Sequence, residues 1–349
     1  MSVRAKSRRL ITRNDVAREA GVSTATVSYV VNNGPRPVAP ETRRRVLETI
    51  HKLNYKPNSI ARNLRRQRTS ALALIIPDNL NPFFAEVSRG VEKVAIENGY
   101  TVMLCHSDYQ PERERQYVDV LRAERVAGVI WFPATVNNEV ANQLTEYGVP
   151  CVILDGHIPG CNCPSVQADN WRGGYLAARH LLEFGHRRMG YIARPFESQQ
   201  TQERINGLQA ALREYGVSED QVLIARGGFR LEEGKAAAEN LLGMDPDLTA
   251  ILGYNDVMAI GAMRAIYERG LHVPDDISVV GFNDIPQAAF TYPSLTTIRQ
   301  PKFEMGMRGV RQLLDLIDGK ALPTETVSIL EVELIVREST AICRERAKT

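Results

Sequence analysis

The sequence predicts a small all-α unit joined to a much larger α/β core. Three observations point there: a division of charge near residue 69, two short helical patterns hinged on Gly21, and apolar runs alternating with amphipathic stretches from residue 71 onward. At 349 residues, with 44% hydrophobic and 24% charged side chains, the chain has the composition of an ordinary folded protein and the length of two or three domains. Residues 1–69 carry 16 Lys and Arg against 4 Asp and Glu, whereas the remaining 280 carry 27 against 37. A basic head on an acidic body confines the attraction for phosphates to one end.

Within the head, Thr12 followed by Asp15 forms a capping-box pattern that opens a helix with Val16, Ala17 and Ala20 on one face, and Gly21 ends it. A second helix starts at Ser23. Its Val27, Val30 and Val31 recur at helical spacing and face inward, leaving Thr24, Ala25, Ser28, Tyr29 and Asn32 outward. This spacing is that of a helix-turn-helix. Thr24, Ala25 and Tyr29 are placed to read base edges, and Thr12, Thr26, Ser28 and Asn32 to hold phosphates, because short side chains let a helix approach a duplex closely. A third helix follows Pro40, with Val46, Ile50 and Leu53 closing the small core and Arg43, Arg44 and Arg45 adding charge.

The segment NYKPNSIARNLRRQRTS contains a short helical stripe of Ile60, Ala61 and Leu64, with Asn58 as its cap. So few residues do not make a stable helix in water. Two readings stay open: a hinge helix that forms only when paired on DNA, with Asn58, Ala61, Arg62 and Leu64 at the minor groove, or a flexible linker.

From residue 71, runs such as ALALIIP, VAGVIWFPA, VPCVILDG, TAILGYND and ISVVGFND alternate with helical stretches such as FFAEVSRGVEKVAIENG. This is β/α alternation with parallel sheets, and the polar residues Asp78, Asp155, Asn255 and Asn283 end strands where such sheets bind ligands. Catalysis is not expected. The chain lacks a G-x-S-x-G elbow, a phosphate loop, G-x-G-x-x-G and H-E-x-x-H, and its six histidines form no ligand-like pair. Neither a cofactor nor a metal is expected, since Cys105, Cys151, Cys161, Cys163 and Cys343 complete no zinc pattern. No apolar run approaches the roughly 18 residues of a membrane span, and MSVRAKSRRL lacks a secretory apolar segment, so a cytoplasmic protein is expected.

The runs TRNDVAREAGVSTATVSYVVN and VAPETRRRVLETIHKLNYKPNSIARNLR resemble the lactose-repressor (LacI/GalR) family of bacterial transcription regulators. The likeness continues through NPFFAEVSRGVEKVAIENGY, EFGHRRMGYI, GYNDVMAIGAMRAI and ISVVGFNDIPQAAFTYPSLTTIRQP. It implies a helix-turn-helix headpiece over 1–56 with a basic tail, a hinge over 57–69, and a periplasmic-binding-protein-like core over 70–349. That core would comprise two Rossmann-like subdomains, the first about 70–168 and 300–325 and the second about 169–299 and 326–341.

The resemblance also implies a homodimer, with a tetramer left open, that binds near-palindromic double-stranded operator DNA as a repressor under the control of a small-molecule effector. The alternative is control by a phosphocarrier-type partner protein. Arg204 matches the arginine that clamps family ligands; Asn255, Asn283, Ser198, Gln200 and Phe229 match other pocket positions, and Asp78, Phe84 and Asp155 would line the opposite wall. Asn283 stands where the family usually has Asp, and Arg194 where glycine is common. An amide accepts through one end only, so the ligand would carry an acceptor of its own, with a sugar or sugar derivative favoured.

Overall fold

The computed structural model describes residues 11–32, 36–55, 69–135, 138–196, 198–320 and 327–344. It separates into two compact units, Met1–Arg68 and Thr69–Thr349. Asn58, Ala61, Arg62 and Leu64, the hinge residues, lie outside the described residues, as does the side chain of Asn32.

Among the described residues, the first unit is built of three helices, α1 (Arg13–Glu19), α2 (Thr24–Asn32) and α3 (Pro40–Lys52). Thr12 and Asp15 complete both halves of the capping box that starts α1. Gly21 adopts a φ of 61°, the left-handed turn that frees the chain to begin α2. None of these helices is long enough to persist alone in water, so their stability comes from shared packing. Val16, Val27 and Val46, one from each helix, are fully buried together, with Ile50 and Leu53 partly buried against them. Each such side chain contributes roughly 1.5 kcal/mol or more.

The second unit holds two six-stranded sheets. Strands β1 (Ala71–Ile76), β2 (Thr101–His106), β3 (Gly128–Trp131), β4 (Cys151–Leu154) and β5 (Ser165–Ala168) belong to the first. Strands β6 (Met189–Ala193), β7 (Val222–Arg226), β8 (Ala250–Gly253), β9 (Ser278–Asn283) and β10 (Thr296–Arg299) belong to the second. Two late strands, β11 (Val327–Leu330) and β12 (Glu333–Ile335), complete one sheet each. The orders are β11-β5-β4-β3-β1-β2 and β12-β10-β9-β8-β6-β7. All pairings are parallel except β10 with β12. Helices cover both faces, which is why β3, β4, β8 and β9 read as unbroken buried runs.

The chain leaves the first sheet after β5, returns after β10, and crosses again between β11 and β12. This corrects the sequence-based boundary at 326, because Val327–Leu330 pairs with β5 in the first sheet. The short VSIL run carries no mark of which sheet it joins; that choice is made by hydrogen bonding to Ser165–Ala168, including the neighbouring link from Asp169 N–H to the Leu330 carbonyl. The helix Lys302–Ile317 lies against the first sheet beside the helix Pro82–Glu97, in keeping with the return near residue 300.

Candidate functional site

Two surfaces carry the chemistry, one on each unit. On α2, Thr24 and Ala25 are exposed and Ser28 and Tyr29 are half-buried, opposite the buried Val27 and Val30. This face is polar and shallow. Two hydroxyls expected at phosphates already have work inside the unit. Thr12 Oγ1 donates to Asp15 Oδ2 at 2.6 Å, and Thr26 Oγ1 lies 2.9 Å from Ser23 Oγ, whose oxygen also accepts the Thr26 N–H. Arg43, Arg44 and Arg45 are exposed on α3.

In the core, the carboxyl ends of the strands from both sheets face a cavity with about 500 Å3 of space between its walls, its solvent-open mouth included. Phe84, Asp155, Gln200, Arg204, Phe229, Asn255 and Asn283, all anticipated from the sequence, line it together. Asp78 does not. Its carboxylate turns back to accept the Leu80 N–H at 2.8 Å, so it shapes the loop after β1. Ser198 lines an adjoining compartment, where its hydroxyl caps the helix Gln199–Glu214 by accepting the Thr201 N–H.

Arg204 is 3% exposed. Its Nε donates to Asn170 Oδ1 at 2.8 Å, its Nη1 donates to the Tyr254 carbonyl at 2.6 Å, and its guanidinium lies 3.6 Å from the Phe282 ring centroid. The helix carrying it packs tightly on the helix Asn170–Glu183 because two glycines meet there. A Cβ at Gly174 would strike the Arg204 carbonyl, and one at Gly207 would strike the Trp171 carbonyl. Sequence spacing thus fixes backbone approach, and backbone approach fixes the guanidinium.

Asn255 caps the helix Asp256–Glu268, its Oδ1 accepting the Met258 N–H at 2.8 Å. Asn283 ends β9 at a φ of 119°, and its Oδ1 accepts from Gln300 Nε2 at 2.6 Å. Buried Lys302 Nζ donates to the carbonyls of Asn283 and Asp284, tying this strand end to the segment that returns to the first sheet. Asp155 adopts a φ of 51°, and its Oδ1 is buried without a partner among the described residues. Burial pushes its carboxyl up to about 6, against the opposing pull of Arg204 and Arg194.

Several lining residues escaped the sequence reading: Tyr109, Tyr254, Asn81 and Phe132. Tyr109 and Phe132 follow strands β2 and β3, so the strand-end rule that found Asp155 reaches them as well. Asp108, Tyr109, Asp155, Asn283 and Asp284 account for five of the seven described non-glycine residues with positive φ, which concentrates backbone strain at the ends of β2, β4 and β9. No nucleophile and base stand together in the cavity, and among the described residues no group of three or more His, Cys, Asp or Glu is arranged to hold a metal.

Comparisons with known proteins follow this division of the chain. Residues 12–58 match the family described as bacterial regulatory proteins, lacI family, and residues 178–340 match a periplasmic binding protein-like domain. The chain is 34% identical to the HTH-type transcriptional repressor PurR of Mannheimia succiniciproducens, over 95% of this chain and 98% of that protein. It is 35% identical to the HTH-type transcriptional repressor CytR of Escherichia coli K12, over 94% of this chain and 96% of that protein. A solved Lac repressor dimer, bound to operator and the anti-inducer ONPF, matches with a TM-score of 0.83 at 30% identity, over 95% of this chain and all of that one. A complex of the transcriptional regulator CelR with cellobiose matches with a TM-score of 0.73 at 33% identity, over 94% and 99% of the two chains. These relatives are transcription regulators rather than enzymes. Three described headpiece helices, the second with a polar outer face, a core of two largely parallel sheets around a cavity, and relatives matched along nearly the whole length together make this chain a member of the lacI family of bacterial transcription regulators.

Proposed function

We propose that the protein is a cytoplasmic homodimeric repressor that binds a near-palindromic operator and changes its affinity when a small molecule, a sugar or sugar derivative, occupies the cavity of the core. The observation that carries this reading is the cavity itself: strand ends of both sheets contribute Asp155 and Asn283, and the helix Gln199–Glu214 contributes Arg204, to one aromatic-walled space, so a ligand there touches both subdomains at once. A ligand that binds one relative arrangement of the subdomains better than another shifts their equilibrium, and that shift is what DNA affinity can report. Relatives bound to cellobiose, to ribose and to operator DNA support the ligand class and the partner. Thr24, Ala25 and Tyr29 would read base edges, with Thr12, Thr26, Ser28 and Asn32 at phosphates and the hinge residues Asn58, Ala61, Arg62 and Leu64 at the minor groove. No described helix is long and apolar enough to cross a membrane.

The test is a thermal-shift screen of metabolites on the full chain, followed by operator titration with each hit. A hit that changes operator affinity supports the reading. A phosphocarrier protein that changes it where no metabolite does would overturn the reading and place the signal on the core surface.

A further inference from the structure

The polar groups around the cavity are unequal in kind. Asn81 and Asn255 spend their side-chain oxygens on the backbone N–H groups of Phe83, at 3.0 Å, and Met258, at 2.8 Å, which leaves their amide nitrogens as donors. The side-chain oxygen of Asn283 is likewise held, by Gln300. Two guanidiniums, Arg194 and Arg204, add charge, and Asp155 is the lone carboxylate among the lining residues. A neutral polyol brings hydroxyls that need acceptors as well as donors; beyond Asp155 this lining offers them the Gln200 side-chain oxygen and the hydroxyls of Tyr109 and Tyr254, fewer than its donors.

The cavity adjoins a second compartment with about 310 Å3 of space, its solvent-open side included, and the two share Arg194, Gln200 and Pro133. Arg194 follows β6, is 6% exposed, and holds its Nε buried without a partner among the described residues; its Nη2 makes a long contact of 3.4 Å with the Ala134 carbonyl. Its guanidinium lies 4.4 Å from the Phe196 ring centroid and 5.1 Å from that of Phe229, within cation–π range of both. Ser198, Gln199 and Gln200, at the start of the helix Gln199–Glu214, line the second compartment. The first-turn N–H groups of a helix have no acceptor within it and present the positive end of its dipole. Buried His157 Nδ1, also without a partner among the described residues, belongs to a lining residue of the same compartment.

We propose that the effector is a polyhydroxylated oxyanion, a sugar carrying a carboxylate or a phosphate, whose hydroxyls meet Asp155 in the first compartment while its anionic group is held by Arg194 and the start of the helix Gln199–Glu214. The inference rests on the cleft being the effector site, as proposed above. It adds the charge of the ligand and makes Arg194 the residue that selects for it. An arginine fork suits either oxyanion, so the chemistry is shared and the source is decided by experiment.

Matched probes test it on the full chain by calorimetry: glucose, gluconate and glucose 6-phosphate, with ribose, ribonate and ribose 5-phosphate as a shorter series. The wild type is expected to bind at least one anionic member of a series about tenfold or more tighter than the neutral sugar, the gain of one charge-assisted contact. Arg194→Gln is expected to remove that preference by weakening the anions about tenfold or more relative to the neutral sugar, and Arg194→Lys to keep part of it. The carboxylate and phosphate arms tell the two sources apart. A neutral sugar bound as tightly as its anions, or an anion preference that survives in folded Arg194→Gln, would overturn the oxyanion while the cleft reading stands. Failure of every probe to bind at millimolar concentration would overturn it too, and the metabolite screen and operator titration then judge the cleft separately.

Discussion

Tyr109 lies flat on Phe229, with ring centroids 3.8 Å apart and planes inclined by 4°. Tyr109 follows β2 in the first sheet and Phe229 follows β7 in the second, so the stack bridges the two subdomains, and Arg230 Nη2 reaches Asp108 Oδ1 beside it at 3.5 Å. Two successive residues, Asp108 and Tyr109, take left-handed backbone angles to make this contact.

A stacked aromatic pair contributes about 0.5 to 1.5 kcal/mol beyond its buried area. Tyr109→Ala is therefore expected to lower the melting temperature of the ligand-free core by roughly 1 to 6 °C, measured by calorimetry on the full chain. An unchanged melting temperature would show that the stack does not hold the subdomains together.

Arg204 serves the fold as well as the cavity, since its guanidinium bonds Asn170 and Tyr254 and stacks on Phe282. Arg204→Lys keeps the charge but not the fork. The expected outcome is a loss of about 1 to 3 kcal/mol of core stability together with loss of effector affinity, while operator affinity without effector is retained. Calorimetric unfolding and ligand titration check both, and full effector affinity in the variant would remove Arg204 from the binding account.

On α2, Tyr29→Ala is expected to cost about 1 to 3 kcal/mol on the preferred operator and to relax preference at particular base pairs. Ser28→Ala should weaken binding to all sequences alike, as a phosphate contact does. Selection from random DNA with each variant separates the two, and an unaltered preferred sequence for Tyr29→Ala would contradict the assignment.

Glu114 supplies a dependence on pH. It is wholly buried, its Oε1 accepts the Ala134 N–H at 2.9 Å, and burial pushes its carboxyl up to about 7 from an ordinary 4.5. Between those values the folded chain keeps a proton that the unfolded chain has lost. Its contribution to stability is therefore full below about pH 4.5 and falls as pH rises to about 7, by up to roughly 3 kcal/mol. Glu114→Gln keeps the accepting oxygen and cannot ionise. Melting temperatures at pH 5 and pH 8 should fall more for the wild type than for the variant, and parallel curves would contradict the assignment.

Much of the fold was legible because its determinants are local. The Thr12–Asp15 capping box, the turn at Gly21 and the valines of α2 each settle their own element within a few residues, and the buried strands are continuous apolar runs. The strand-end rule brought Asp155, Asn255 and Asn283 to one cavity for the same reason: chain direction in a parallel sheet puts all those ends on one edge. What was not legible depends on distant partners. That Gln300 occupies the oxygen of Asn283, that Asp78 bends to Leu80, and that β11 joins the first sheet are decisions made by neighbours across the fold. Tyr109 lay within reach of the strand-end rule after β2, but its stack on Phe229 depends on a partner in the other sheet that no local pattern marks.

The central claim is that occupancy of the core cavity sets the affinity of the headpiece for DNA, and operator binding by fluorescence anisotropy tests it most directly. The full chain would be titrated onto its selected operator with and without a saturating ligand from the screen, at one salt concentration. The account predicts that the ligand changes the operator Kd by about tenfold or more, a coupling free energy of roughly 1.4 kcal/mol or above. An identical Kd in the two titrations, with the ligand shown by calorimetry to be bound, would contradict it.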